Sequence, residues 1–126
     1  AFVKKYLYIG CGLRSLTSDH ADYHGIYCGS LPKRDAAYHQ GTAWGFLLGG
    51  FLSAYAKVHD HSPECTKELL SLLEPVHHHL TDNGCIGSIS EIFDGDAPHN
   101  PRGCYAQAWS VGETLRAYMQ DVLPYM

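Results

Sequence analysis

The chain has 126 residues, of which 45% are hydrophobic and 17% charged, a length and composition for one globular domain with a modest core and not for a disordered tail. Its net charge of −4, from 9 Lys and Arg against 13 Asp and Glu, withholds the cationic surface on which nucleic-acid and anionic-membrane binding depend, so a neutral polar substrate suits it better. No apolar run reaches the ~18 residues of a spanning helix and no leader-type pattern opens the chain, while five cysteines without a C-x-x-C pair fit free thiols in a reducing, cytoplasmic setting.

A short apolar segment, Phe2 to Ile9, comes first, and its type is open. From Gly10 to Gly41 neither a helical nor an alternating period persists, which reads as one long ordered loop. So many irregular residues in a compact domain belong to a site or to a packing surface. Trp44, Leu47, Leu48, Phe51, Leu52, Tyr55 and Val58 then fall on one face at helical spacing, predicting a helix near residues 42 to 58. Its Gly49-Gly50 step costs about 1 kcal/mol per residue relative to Ala, which suggests close approach of another helix.

Ser62, Pro63 and Glu64 supply an N-cap, a first-turn proline and an acid suited to the helix dipole, so a second helix starts there. Leu69, Leu70, Leu72, Leu73, Val76 and Leu80 carry it to Asp82-Asn83-Gly84, with a kink expected at Pro75. A second long loop, Gly84 to Cys104, precedes a third helix near 105 to 122 that Pro124 ends. The expected fold is all-α, about three to four helices with two long loops, forming one domain over residues 1 to 126.

The second loop gathers Glu91, Asp94, Asp96, His99 and Arg102 among glycines and prolines, the setting in which catalytic side chains are commonly held. Glu91 is flanked by Ile89, Ile92 and Phe93, an apolar surrounding of the kind that general acid–base carboxyls use. The same acids would also serve to cap the next helix and pair with Arg102. Asp94-x-Asp96 opens like a calcium loop but then places Pro98, His99 and Tyr105 where a ligand, a glycine and a bidentate Glu are required. His77-His78-His79 lie on one helix about 100° apart and cannot converge on one ion, and His59-x-His61 has no further ligand at zinc spacing, so no metal is expected. Nucleotide and serine-hydrolase signatures are missing too. At the entrance of the first predicted helix, Asp35, Tyr38, His39, Gln40 and Trp44 combine hydroxyl-binding groups with flat apolar rings, a mixture suited to carbohydrate.

Arg34 to Trp44 followed by Leu47-Leu48-Gly49, then Leu72-Leu73-Glu74-Pro75, Ser88 to Gly95, and Pro101 to Val111 closely resemble the C-terminal end of glycogen debranching enzymes. Gly12-Leu13-Arg14-Ser15-Leu16 resembles an upstream loop of the same family, and the likeness runs from about residue 9 to residue 118. It implies an amylo-α-1,6-glucosidase domain, an α/α toroid of six hairpins, acting with inversion on the single glucose left at a glycogen branch. It also implies Glu91 as general base, Tyr38, His39, Gln40 and Trp44 as walls and glucose contacts with Gln107 and Trp109 close to the same mouth, and Arg102 as orienting Glu91 or Asp94; with Asp35, these residues make up the expected substrate-binding set. No cofactor is implied. The general acid would lie N-terminal to Ala1, so the chain reads as the last part of a catalytic domain whose partners are an α-glucan, such as glycogen or limit dextrin, and the missing toroid segment or a second copy. A catalytically silent carbohydrate-binding remnant is the other reading. Family members usually carry Trp-Pro-Trp where this chain has Trp44-Gly45-Phe46.

Overall fold

A computed structural model describes all 126 residues. Five α-helices, α1 (Phe2–Tyr6), α2 (Leu31–Tyr38), α3 (Leu47–Val58), α4 (Pro63–Asp82) and α5 (Ala108–Ala117), are interspersed with four two-residue strands, β1 (Leu13–Arg14), β2 (Ala43–Trp44), β3 (Ile92–Phe93) and β4 (Pro101–Arg102), in the order α1-β1-α2-β2-α3-α4-β3-β4-α5. A π turn over Tyr118–Val122 and a 3-10 turn over Leu123–Tyr125 finish the chain.

The expectation of an all-α toroid segment with two long loops is therefore corrected. The protein is α-rich, but its strands form one antiparallel sheet in the order β1-β2-β3-β4, and the first loop also contains α2. Trp44 belongs to β2 and not to the helix that its spacing predicted; α3 begins three residues later, at Leu47. Strands of two residues are too short to leave an alternating pattern, and β2 pairs with segments distant in sequence, so period analysis cannot register them. The third helix is shorter than expected, ending at Ala117 before the π turn.

α4 follows its sequence cues closely. The Ser62 hydroxyl accepts from the Cys65 backbone N–H at 3.2 Å, Pro63 stands at the first helical position, and the helix runs through Pro75 to Asp82. The core sits where Leu48, Leu52 and Ala56 of α3 meet Leu69, Leu72, Leu73 and Val76 of α4, and Ile89, Phe93 and Val122 close it. No helix is long and apolar enough to cross a membrane.

The glycine pair divides into two roles. A Cβ on Gly49 would lie 2.5 Å from the Glu113 carbonyl oxygen, so this residue permits the close contact of α3 with α5, whereas a Cβ on Gly50 would meet nothing within 4 Å. Opposite signs are expected from alanine: Gly50→Ala stabilises by up to about 1 kcal/mol through helix propensity, and Gly49→Ala destabilises by about 1–3 kcal/mol by forcing two backbones apart. Urea unfolding of the two variants checks this, and a stabilising Gly49→Ala would refute the close packing.

His79, near the end of α4, ties that helix to the chain just before β3. It is 4% exposed; its Nε2 accepts the Ser90 N–H at 3.3 Å and its ring meets the edge of Phe93 at 5.1 Å. Burial holds its pKa below the ordinary value. A depressed folded pKa means that the unfolded chain takes up the proton first as pH falls. The contribution of His79 is then complete above about pH 6.5, the unfolded value, and is lost as pH drops through the lower folded value. Melting temperature should decline on acidification from neutrality. In His79→Gln, which keeps an acceptor but does not titrate, that slope should flatten; an unchanged slope would exclude His79 as its source.

Candidate active site

The sheet brings together what the sequence separates by fifty residues. In β2, Trp44 faces Ile92 of β3, and Ile92 in turn faces Arg102 of β4. One step beyond this register, the Gly45 N–H donates to the Glu91 carbonyl at 3.1 Å, and the Glu91 N–H donates to the Cys104 carbonyl at 2.8 Å. Glu91 is thereby held from both sides by strand-like pairing, with its side chain half-buried.

Both carboxylate oxygens of Glu91 accept hydrogen bonds. The Tyr38 hydroxyl donates to Oε1, and the Cys104 backbone N–H donates to Oε2 at 2.9 Å. Gly103 makes the second bond possible. Its φ is +66°, and a Cβ there would lie 2.6 Å from Oε2 and 3.0 Å from Ile92 Cγ1, so a residue without a side chain is required both by conformation and by space.

An aromatic wall stands next to this carboxylate. The Tyr38 and Trp44 rings lie 4.6 Å apart, His39 stacks on Trp44 at 5.2 Å with 5° between planes, and Trp109 meets Trp44 edge-on at 6.1 Å. The Trp44 indole N–H donates to the Tyr38 carbonyl at 3.0 Å, locking the indole to the end of α2. Phe46 stacks on Trp109 at 4.4 Å, so phenylalanine adds an aromatic face beside that indole. A cavity of about 190 Å³ opens between Ser15, His39, Trp44, Phe46, Leu47 and Trp109. Glu91 lies outside its lining and is connected to it through Tyr38.

Asp94 occupies different surroundings. It is fully buried and accepts from Arg102 Nε at 3.2 and 3.1 Å and Nη2 at 2.9 Å, from the Tyr27 N–H at 2.8 Å and from Asn100 Nδ2 at 3.5 Å. The bond to Asp94, outweighing partial burial, holds the Arg102 guanidinium above its ordinary pKa. Arg102 is thus engaged with Asp94. Asp35 is exposed on α2. Gln40 is exposed as well and bonds through its carbonyl, which accepts the His24 N–H at 2.6 Å. Gln107 caps α5 with its backbone: its carbonyl accepts the Ser110 N–H at 3.2 Å, and its own N–H donates to Ile89 at 2.9 Å. Neither glutamine side chain makes a bond within the chain.

The histidine clusters disperse. His59 stacks on Tyr55 and His61 on Tyr125, His78 lies between Glu74 and Asp82 on α4, and no group of three or more potential ligands converges anywhere. Sequence reasoning gave no role to Ser15, Gly103 or the Cys104 N–H, and named Phe46 only as a departure from the resembled family. Ser15 accepts the Gly41 N–H at 3.0 Å and donates to the Thr42 carbonyl at 2.8 Å, anchoring the first loop under the wall. Only the Arg102-Gly103-Cys104 turn carried a local cue, a glycine beside two polar residues. The arrangement as a whole presents an oriented carboxylate beside flat rings, a combination able to take a proton from water next to a sugar.

A family model described as amylo-alpha-1,6-glucosidase matches residues 1–116.

Proposed function

The chain belongs to the amylo-α-1,6-glucosidase family, the C-terminal domain of glycogen debranching enzymes, and from that premise we propose that it supplies the general-base side of an inverting glycosidase site that removes α-1,6-linked glucose at glycogen branch points. The observation that carries this reading is Glu91, whose two oxygens are each fixed by one donor. An ionised carboxylate has about four acceptor positions, so positions remain on it for a water molecule. That water is deprotonated as it attacks the anomeric carbon from the face opposite the leaving oxygen. Trp44, His39 and Trp109 form the wall on which the apolar face of the glucose rests.

Inversion needs a second carboxyl, the acid that protonates the leaving oxygen, about 6.5–9.5 Å from the base. Of the other acids in the loop that carries Glu91, Asp94 is engaged by Arg102 and Asp96 by the Tyr23 hydroxyl at 2.9 Å. The acid in this reading comes from polypeptide outside these residues, in the same protein or in a partner chain. Mixing the chain with the remainder of the catalytic domain should release glucose from limit dextrin. Binding of maltooligosaccharide without turnover under any mixing would favour a silent carbohydrate-binding remnant instead, and failure to bind any α-glucan would overturn both.

A further inference from the structure

We infer that Tyr38 is a positioning residue for Glu91, acting through its hydroxyl, and not a surface on which the sugar rests; this builds on the reading of Glu91 as general base. Its ring is enclosed on several sides, with Trp44 at 4.6 Å, His39 at 4.8 Å and Tyr27 at 5.5 Å. Its carbonyl is tied to the Trp44 indole at 3.0 Å, and it takes no part in the lining of the aromatic cavity. What it offers outward is one hydroxyl, spent on Glu91 Oε1.

The geometry explains why such a residue is needed. With Cys104 N–H on Oε2 and Tyr38 on Oε1, the two oxygens are restrained by different elements, the turn after β4 and the C-terminus of α2. Together they prevent rotation of the carboxylate plane. With one donor alone the group could swing about the other, and a displacement near 1 Å at a reacting group costs about a hundredfold in rate. Burial, followed by the bond to Glu91, pushes the Tyr38 phenol up to about 12. The hydroxyl therefore stays a donor across the neutral range.

The test is Tyr38→Phe in the enzyme that contains the full catalytic domain, with Glu91→Gln alongside. The phenyl ring keeps its packing, so thermal stability should change little. We expect kcat to fall about tenfold to a hundredfold with KM within about twofold, the pattern of a group that acts on the transition state and not on substrate binding. A raised KM at unchanged kcat would make Tyr38 a sugar contact and overturn the inference; so would unchanged values of both while Glu91→Gln is inactive, leaving the base assignment standing. Full turnover in Glu91→Gln would overturn the base assignment and this inference with it. A readout independent of turnover is NMR of tyrosine labelled at Cζ: at neutral pH the Tyr38 signal, identified by its loss in Tyr38→Phe, should shift in Glu91→Gln, and an unmoved signal would refute the contact.

Discussion

Replacing Glu91 with Gln should reduce glucose release from limit dextrin by about a hundredfold to ten-thousandfold, the range that a general base contributes. Gln preserves the shape of the side chain and can still accept the Tyr38 hydroxyl, but cannot receive a proton from water. Affinity for a maltooligosaccharide, followed by quenching of Trp44 and Trp109, should change little, because the aromatic wall is held by Tyr38, His39 and Phe46 and does not depend on the carboxylate charge. The assay requires the complete catalytic domain. Release within about threefold of the unmodified enzyme would lie far below the contribution of a base and would exclude Glu91 from that role.

Arg102→Ala should have the largest effect on stability. The substitution leaves the fully buried Asp94 with the Tyr27 N–H and Asn100 but without its only cationic partner. Breaking a buried ion pair from one side costs about 3–5 kcal/mol, and the partial exposure of Arg102, whose side chain is 35% accessible, places the expected value near the lower end. For a domain of this size about 3 kcal/mol corresponds to roughly 10 °C in melting temperature. Asp94→Asn, which removes the buried charge but retains acceptor and shape, should be milder. Thermal melts of the two variants decide it: equal losses would mean that the charge of Asp94 is immaterial to its burial. Because Asp94 is three residues from Glu91 and its ion pair fastens β4 beside β3, the Arg102 variant should lose activity together with stability.

The legibility of the chain varied from element to element for definite reasons. α4 announces itself through a cap, a first-turn proline and a sustained apolar face, all within twenty residues, because every interaction that specifies it is local. Trp44 misled, since its spacing to Leu47 and Leu48 continues the helical face while its backbone pairs with Leu13 and Ile92. Period analysis sees only neighbours in sequence, and this pairing connects β2 to segments about thirty and fifty residues away. Glu91 could be singled out by residue type, flanking and resemblance. Its donors could not: the Tyr38 hydroxyl comes from another element, and the Cys104 N–H belongs to the backbone, which no side-chain identity reveals.

The chemical inventory was determined by the amino-acid order alone: a chain of net negative charge, a carboxylate set among apolar residues, aromatic and hydrogen-bonding groups clustered at one helix mouth, and motifs resembling those of debranching glucosidases. Tertiary structure alone decided how that inventory is used. It joined two apparent loops and the start of a predicted helix in a four-stranded sheet, paired Arg102 with the buried Asp94, and set Tyr38 and the turn at Gly103 upon opposite oxygens of Glu91. The division is physical. Local preferences and side-chain chemistry are carried by each residue and its near neighbours, whereas a hydrogen bond between distant segments exists only once the chain has closed the loop between them.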